Sequence, residues 1–175
     1  RRRGRGSPRF PAATLFGCNE GGDDRPRGAE RSLQQRATGT QMNIGNVAAY
    51  EFDKSGLRLA WVVDTESDAG NGVQMRLMDS GVVIALESSD ASYRRLSWTD
   101  EGDGLTVLKG VDDDDYEDPL YSVVAFTDMT AQMPTKIVYD PRQDDSFPAG
   151  MTIAATRAPS FTDDLSSLVF GIVET

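Results

Sequence analysis

The chain has 175 residues with 38% hydrophobic and 8% aromatic content, which suits one domain or part of a larger protein, and it holds no apolar run long enough to span a membrane. Because histidine is absent, Ser-His-Asp and Cys-His catalysis are excluded, and the single cysteine excludes an intramolecular disulfide framework. The formal net charge is −10, and residues 41–175 carry 24 acidic against nine basic side chains, which argues against a nucleic-acid-binding surface.

Residues 1–43 are predicted to be a disordered tail, because they are rich in Arg, Gly and Pro and develop no apolar period. Nine arginines against four acidic residues in 1–40 fit either nucleic-acid contact or the first part of an export signal. The stretch LFGC, ending at Cys18, resembles a bacterial lipoprotein cleavage site, but the apolar segment before it contains Pro11 and is short for a signal core. Solvated disorder is therefore preferred. Since the chain does not begin with Met, we expect a fragment.

Residues 44–89 are predicted to form four strands of one antiparallel sheet. The turn-rich stretch 65–72 separates the second strand from the third, and Asp79-Ser80-Gly81 separates the third from the fourth. Alternating apolar and polar side chains support the third strand. The four strands are placed at residues 47–52, 57–63, 73–78 and 82–86.

Residues 90–153 repeat this pattern, with predicted strands at 94–98, 105–109, 120–126 and 136–139. This segment contains the acidic insertion GVDDDDYEDP, residues 110–119. A surface loop is predicted over 140–159, because Pro and Gly residues interrupt any regular pattern there. Residues 154–175 start a third segment near Arg157, in which only about two strands are present.

One hairpin recurs in all three segments. Without gaps, the aromatic residues Phe52, Trp98 and Phe161 coincide, and a leucine follows each of them seven residues later, at Leu59, Leu105 and Leu168. A unit that recurs at roughly 40–50 residues is typical of a propeller blade. The sequence therefore predicts an all-β partial β-propeller of about two and a half four-stranded antiparallel blades, at 44–89, 90–153 and 154–175. We expect such an unclosed assembly to be marginally stable or prone to aggregation, because its strand edges are unpaired.

The hairpin turns are predicted to differ between the copies. Gly56 and Gly102 occupy a position that requires a positive φ, which glycine adopts without a steric penalty. Leu165 stands at this position in the third copy, so we expect another turn geometry there.

The repeat resembles the WD-like repeats of TolB-type propellers and of the propeller domain of prolyl-oligopeptidase-type serine peptidases. Those repeats pair an aromatic and Ser-Pro-Asp-Gly with Leu-Ala-Phe. Here FDKSG at 52–56 is followed by LAW at 59–61, and WTDEG at 98–102 by LTV at 105–107, while the proline is missing from every copy. Further stretches similar to the N-terminal propeller of large bacterial peptidases extend the resemblance over roughly 44–175.

The resemblance implies a non-catalytic chain, because in that family a separate C-terminal α/β-hydrolase domain supplies the Ser of G-x-S-x-G, with Asp and His after it. This sequence has neither that motif nor histidine, so no catalytic, cofactor-binding or metal-binding residue is assigned and no cofactor is expected. The implied partners are the hydrolase domain and a peptide substrate, which the propeller gates or positions. The alternative is a TolB-like exported scaffold for protein interactions. Export to the bacterial periplasm is favoured over the cytoplasm.

A few residues have competing interpretations. Asp112 to Asp115 fit either a calcium site or a solvated acidic loop, and the loop is preferred because the spacing lacks the D-x-D-x-D-G pattern. Trp61 and Trp98 are predicted to be core aromatics rather than stacking platforms. The Arg94-Arg95 pair is expected to point to opposite faces of its strand and gives no indication of a phosphate site.

Overall fold

The computed structural model describes residues 13–17, 29–35 and 39–175, and within them every strand pairing is antiparallel. Helical structure in this part of the chain is limited to a 3-10 turn, Pro141–Gln143. No helix among the described residues is long and apolar enough to cross a membrane. The strands form two main sheets and a smaller third unit, arranged as an unclosed, propeller-like stack.

The first sheet has six strands in sequence order. They are β1 (Ala13–Gly17), β2 (Ala29–Gln35), β3 (Gln41–Phe52), β4 (Arg58–Val63), β5 (Gly72–Leu77) and β6 (Val83–Ser88). The four strands predicted for 44–89 are confirmed as β3 to β6. Strand β4 is almost entirely buried, as the central strand of the sheet.

Two strands lie within residues 1–43, where the sequence analysis expected no regular structure. Strand β2 pairs antiparallel with β3, and Leu33 of β2 is 3% exposed in a cluster with Ile44 and Trp61. Composition did not indicate β2, because Leu33 is its single fully buried side chain and the rest of the pairing is made by main-chain groups. The Arg-rich residues 1–12 and Cys18 lie outside the described residues, so the interpretations of them stay predictions.

The second sheet has four strands, in the order β10-β9-β8-β7. They are β7 (Ser92–Trp98), β8 (Leu105–Val111), β9 (Leu120–Thr127) and β10 (Thr135–Tyr139), which confirms all four predicted strands. Strands β8 and β9 are the buried centre of this sheet.

The prediction that Arg94 and Arg95 point to opposite faces is wrong. A register shift interrupts β7 between Arg94 and Ser97, and Arg95 has a φ of 60°, so the alternation of side chains is broken there. The Arg94 guanidinium lies 5.7 Å from the centre of the Tyr121 ring, and Arg95 Nε donates to the carbonyl of Ala155 at 2.8 Å. Both side chains thus contact the cluster between the second sheet and the third unit.

The third unit consists of two short strand pairs. Strand β11 (Met151–Ile153) pairs with β14 (Ile172–Glu174), and β12 (Ser160–Phe161) pairs with β13 (Leu168–Val169). The loop predicted over 140–159 therefore needs correction, because it contains the 3-10 turn and β11. Its strand was hidden from sequence analysis, since the pairing partner comes about 20 residues later, after another hairpin.

The apolar core lies between successive units. The first cluster joins β4 and β5 to the second sheet through side chains such as Val62, Met75, Leu105 and Phe126. Another cluster joins the opposite face of the second sheet to the third unit, with Leu108 and Ile153 at its centre. This face-to-face stacking of successive antiparallel sheets is the partial β-propeller that the repeat predicts.

Candidate functional site

Three equivalent hairpin turns connect the repeated strand pairs: the first turn (53–58), the second turn (99–104) and the third turn (162–167). Each repeated aromatic residue is the direct cross-strand partner of the leucine seven residues later. The pairs are Phe52 with Leu59, Trp98 with Leu105, and Phe161 with Leu168. The repeat found in the sequence thus has the same register in all three copies.

The three turns also share one backbone geometry. The residue at the fourth turn position has a φ of 71° at Gly56, 72° at Gly102 and 56° at Leu165. Its amide N–H donates to the carbonyl of the first turn residue in every copy, at 2.9, 3.0 and 2.9 Å respectively. The expectation of a different geometry at Leu165 is therefore wrong: the hydrogen bonds of the turn hold a leucine in the left-handed region.

A side-chain oxygen at the first turn position caps each hairpin. Asp53 accepts from the main-chain N–H of Arg58 at 3.0 Å, and Thr99 accepts from that of Gly104 at 3.0 Å. In the third turn, Thr162 accepts from Ser167 at 3.1 Å. Such local side-chain acceptors stabilise tight turns, and this is the interaction that supports the backbone at Leu165.

Arg58 bridges the first and second turns. Its Nη1 donates to Oδ2 of Asp53 in its own turn and to the carbonyl oxygen of Gly102 in the second turn, both at 3.1 Å. Asp53 is only 3% exposed, so this ion pair is largely withdrawn from water. The turns are in close contact, since a Cβ atom on Gly102 would lie 3.2 Å from Oδ2 of Asp53. A guanidinium thus fills the junction between the first two turns.

The second and third turns leave a groove between them. Gly104 stands at the turn position that Arg58 holds in the first turn, and its missing Cβ makes room for the ring of Phe161. The groove has a volume of about 470 Å³. We call it the turn groove, and its lining comprises Ser97, Trp98, Thr99, Asp100, Glu101, Asp103, Ser160, Phe161, Thr162 and Asp163.

The turn groove combines carboxylates with aromatic surface. Asp100, Glu101, Asp103 and Asp163 are exposed along it. Asp103 accepts a 2.6 Å hydrogen bond from the hydroxyl of Thr99. The rings of Trp98 and Phe161 are half-buried, so the lining combines exposed negative charge with apolar ring surface.

A second polar cluster lies between the first and second sheets, around Glu87 at the end of β6. Glu87 has a side chain only 8% exposed, and it accepts from Lys109 at 3.0 Å and from Lys136 at 2.8 Å. Burial alone would raise the pKa of Glu87, but the hydrogen bonds from the two lysines outweigh burial and hold the pKa below the ordinary value of 4.5. Burial, with the Glu87 carboxylate beside it, raises the pKa of Tyr93 to about 12.

The residues singled out in the sequence lie in separate places. Asp112 to Asp115 are in the connection between β8 and β9, and three of the four are exposed. Trp61 is 2% exposed in the core of the first sheet. Trp98 packs at the edge of the core, donates to the carbonyl of Glu51 at 3.1 Å and also lines the turn groove. Among the described residues, no three Asp, Glu, His or Cys side chains are placed to hold a metal ion.

Sequence reasoning missed both polar features. The charged residues of the Glu87 cluster lie on three strands that are far apart in the chain, so no local sequence pattern indicates that they meet. The turn groove had a signal in the repeat alignment, where Arg58 is matched by Gly104. That change from arginine to glycine marks the junction at which no arginine bridges the two turns and the ring of Phe161 packs against the backbone instead.

No family model matches the chain, and no curated protein sequence matches it. Among solved structures, the β-propeller domain of the trilobed protease from Pyrococcus furiosus is similar with a TM-score of 0.48 and 10% identity, over 83% of this chain and 45% of that one. A structural study of two prolyl endopeptidases supplies a match with a TM-score of 0.47 and 14% identity, over 85% and 23%. Hydrazine synthase from Kuenenia stuttgartiensis matches with a TM-score of 0.42 and 16% identity, over 70% and 39%. The chain therefore spans less than half the length of each.

Proposed function

We propose that this chain is a non-catalytic β-propeller segment of a prolyl-oligopeptidase-like serine peptidase, in which it gates or positions peptide substrate for a separate α/β-hydrolase domain. The observation that carries the proposal is the threefold hairpin, which keeps one register while its sequence resembles the repeats of that family. Because the chain has no histidine and no G-x-S-x-G, the nucleophile and its base belong to the hydrolase domain.

The junctions between the units support a gating role. Apolar clusters hold the sheets together over their faces, whereas the turn end of the first junction is joined by the polar bridge from Arg58. A propeller that admits peptides needs a junction that parts without unfolding the sheets. Removing the hydrogen bonds of Arg58 should therefore loosen the contact between the first and second turns and leave each sheet intact.

The identity of the parent protein is tested by sequencing the source locus beyond the codon for Thr175 and producing the complete protein. We expect further blades followed by G-x-S-x-G, Asp and His in that order, labelling of the serine by a fluorophosphonate, and cleavage of a short prolyl peptide. If the reading frame ends after further blades and does not encode this motif, the proposal is overturned and a TolB-like interaction scaffold is favoured.

The gating role is tested in the complete protein with Arg58→Met. We expect kcat/KM for a long peptide to rise severalfold relative to that for a short prolyl peptide, because the loosened junction admits longer chains. The matched control is Arg142→Met, which breaks a more exposed ion pair with Asp140 outside the three hairpin turns. An unchanged ratio in Arg58→Met, with the short-peptide activity intact, would contradict gating through this junction.

A further inference from the structure

One side chain of this protein, Arg58, already connects two neighbouring hairpin turns. At the first junction the Arg58 guanidinium lies between the turns, where it donates to a carboxylate and to a main-chain carbonyl oxygen. A planar guanidinium suits such a place, because it carries several donors in a fixed plane and satisfies two acceptors at once.

The second junction has no such cation, and its carboxylates stand at other turn positions, because Thr99 takes the place of Asp53 there. Glycine replaces the arginine at position 104, while carboxylates from both turns, Asp103 and Asp163, line the turn groove. Asp100, Glu101 and Asp163 make no hydrogen bond or ion pair with any other described part of the chain, so their charges are available to a bound group. The net charge of −15 over residues 41–175 adds a long-range attraction for a cation.

We propose that the turn groove binds an arginine side chain presented by a partner polypeptide. The guanidinium would connect the second and third turns, as Arg58 connects the first two, but with Asp103 and Asp163 as its carboxylate acceptors. Phe161 and Trp98 provide ring surface on which a guanidinium stacks, which favours arginine over lysine. This inference does not depend on the proposed peptidase function, because a scaffold would use the same groove.

The test uses the full chain labelled with ¹⁵N and the probe acetyl-Gly-Arg-Gly-amide. The protein has two tryptophans, of which Trp98 lines the groove and Trp61 is buried in the first sheet, so their indole N–H signals report separately. Trp98→Phe assigns the two signals. We expect titration with the peptide to move the Trp98 signal in a saturable way and to leave the Trp61 signal in place. The same peptide with citrulline, which is neutral and nearly isosteric, should produce no shift.

The carboxylates are tested with the double variant Asp103→Asn/Asp163→Asn. We expect its Kd for the arginine peptide to rise about tenfold, since charge-assisted hydrogen bonds are lost. The matched control is Asp114→Asn/Asp115→Asn, which removes two charges from the connection between β8 and β9 and should change Kd less than about twofold, because exposed distant charges are screened.

Several results would overturn the assignment. Equal weakening in the two double variants would mean that the peptide follows the overall negative field. Equal binding of the citrulline peptide would remove the role of the cation, and equal binding of a lysine peptide would remove the preference for arginine. A shift at Trp61 without one at Trp98 would place the peptide elsewhere.

Discussion

Gly56 and Leu165 occupy the same turn position with nearly the same backbone conformation, although leucine is penalised there. A left-handed conformation costs a non-glycine residue about 1–2 kcal/mol. The third turn tolerates this cost because Thr162 and the main chain supply the same hydrogen bonds as in the other copies. The hydrogen-bonding pattern, rather than glycine itself, therefore defines the hairpin.

Gly56→Ala is expected to lower the free energy of unfolding by about 1 kcal/mol, because alanine is strained at a φ of 71° while no atom lies within 4 Å to clash with its Cβ. Gly45→Ala is the matched control, since Gly45 is equally open and does not have a positive φ. Urea denaturation of both variants measures the difference. Equal stability of the two would show that the turn conformation imposes no strain.

Glu87→Gln is expected to lower the free energy of unfolding at pH 7 by about 1–3 kcal/mol, because it removes the shared partner of Lys109 and Lys136 from a largely buried position. The pKa of Glu87 is lowered in the folded protein, so its contribution is complete above about pH 4.5 and is lost as the pH falls through the folded-state pKa.

Urea denaturation across this pH range measures the effect of Glu87. The variant should lose stability less steeply than the parent below pH 4.5, where Glu87 starts to bind a proton. Glu117→Gln, at an exposed position of the acidic connection, serves as the control and should follow the parent. Parallel pH profiles for Glu87→Gln and the parent would contradict the role of the ion pair.

The strands that sequence analysis located are those with a local signal. Strands β3 to β10 were found because alternating side chains and turn residues mark them within a few residues. Strands β1, β2 and β11 were missed because they are defined by main-chain pairing with other strands and not by a local side-chain pattern. The bulge at Arg95 was missed for a similar reason, since its positive φ accompanies a register shift that no residue type requires.

The contact between the first two turns is expected to depend on the pair Arg58–Asp53. Arg58→Met should lower the free energy of unfolding by about 2–4 kcal/mol, because it leaves a buried carboxylate without its cation. In a double-mutant cycle with Asp53→Asn, the coupling energy should be about 1–3 kcal/mol. Additive effects would show that the two side chains act independently.

Arg142→Met is the comparison for that cycle. Its ion pair with Asp140 has an arginine that is about half exposed, so its loss should cost about 0–1 kcal/mol. The difference between Arg58→Met and Arg142→Met in the free energy of unfolding then reports the loss of a buried ion pair, because both variants remove an arginine.

The assembled molecule explains why the candidate site was only partly predictable. The repeat located the three turns, and their order along the chain placed them side by side. The turn groove, however, is formed by the approach of two turns about 60 residues apart, and its width depends on Gly104 and the ring of Phe161 together. Sequence patterns describe each turn, whereas the distance between turns is set by the packing of whole sheets.

The third unit leaves apolar side chains in contact with water. Val169, Ile172 and Val173 are 55%, 44% and 48% exposed, and they lie in sheets of only two strands. Two-stranded ribbons are marginally stable, and exposed apolar strands with open edges pair with other chains. We therefore expect the isolated chain to associate with itself as its concentration rises.

Sedimentation velocity over a range of concentrations tests this expectation. Val173→Lys should reduce the self-association, because a charge on an exposed strand opposes edge pairing. Val111→Lys is the matched control: Val111 is 38% exposed at the end of β8, a strand that is paired on both sides, so its replacement should change the association little. A chain that stays monomeric at all concentrations and unfolds in one cooperative step would contradict the expectation, since the third unit would then be stable with its apolar face in water.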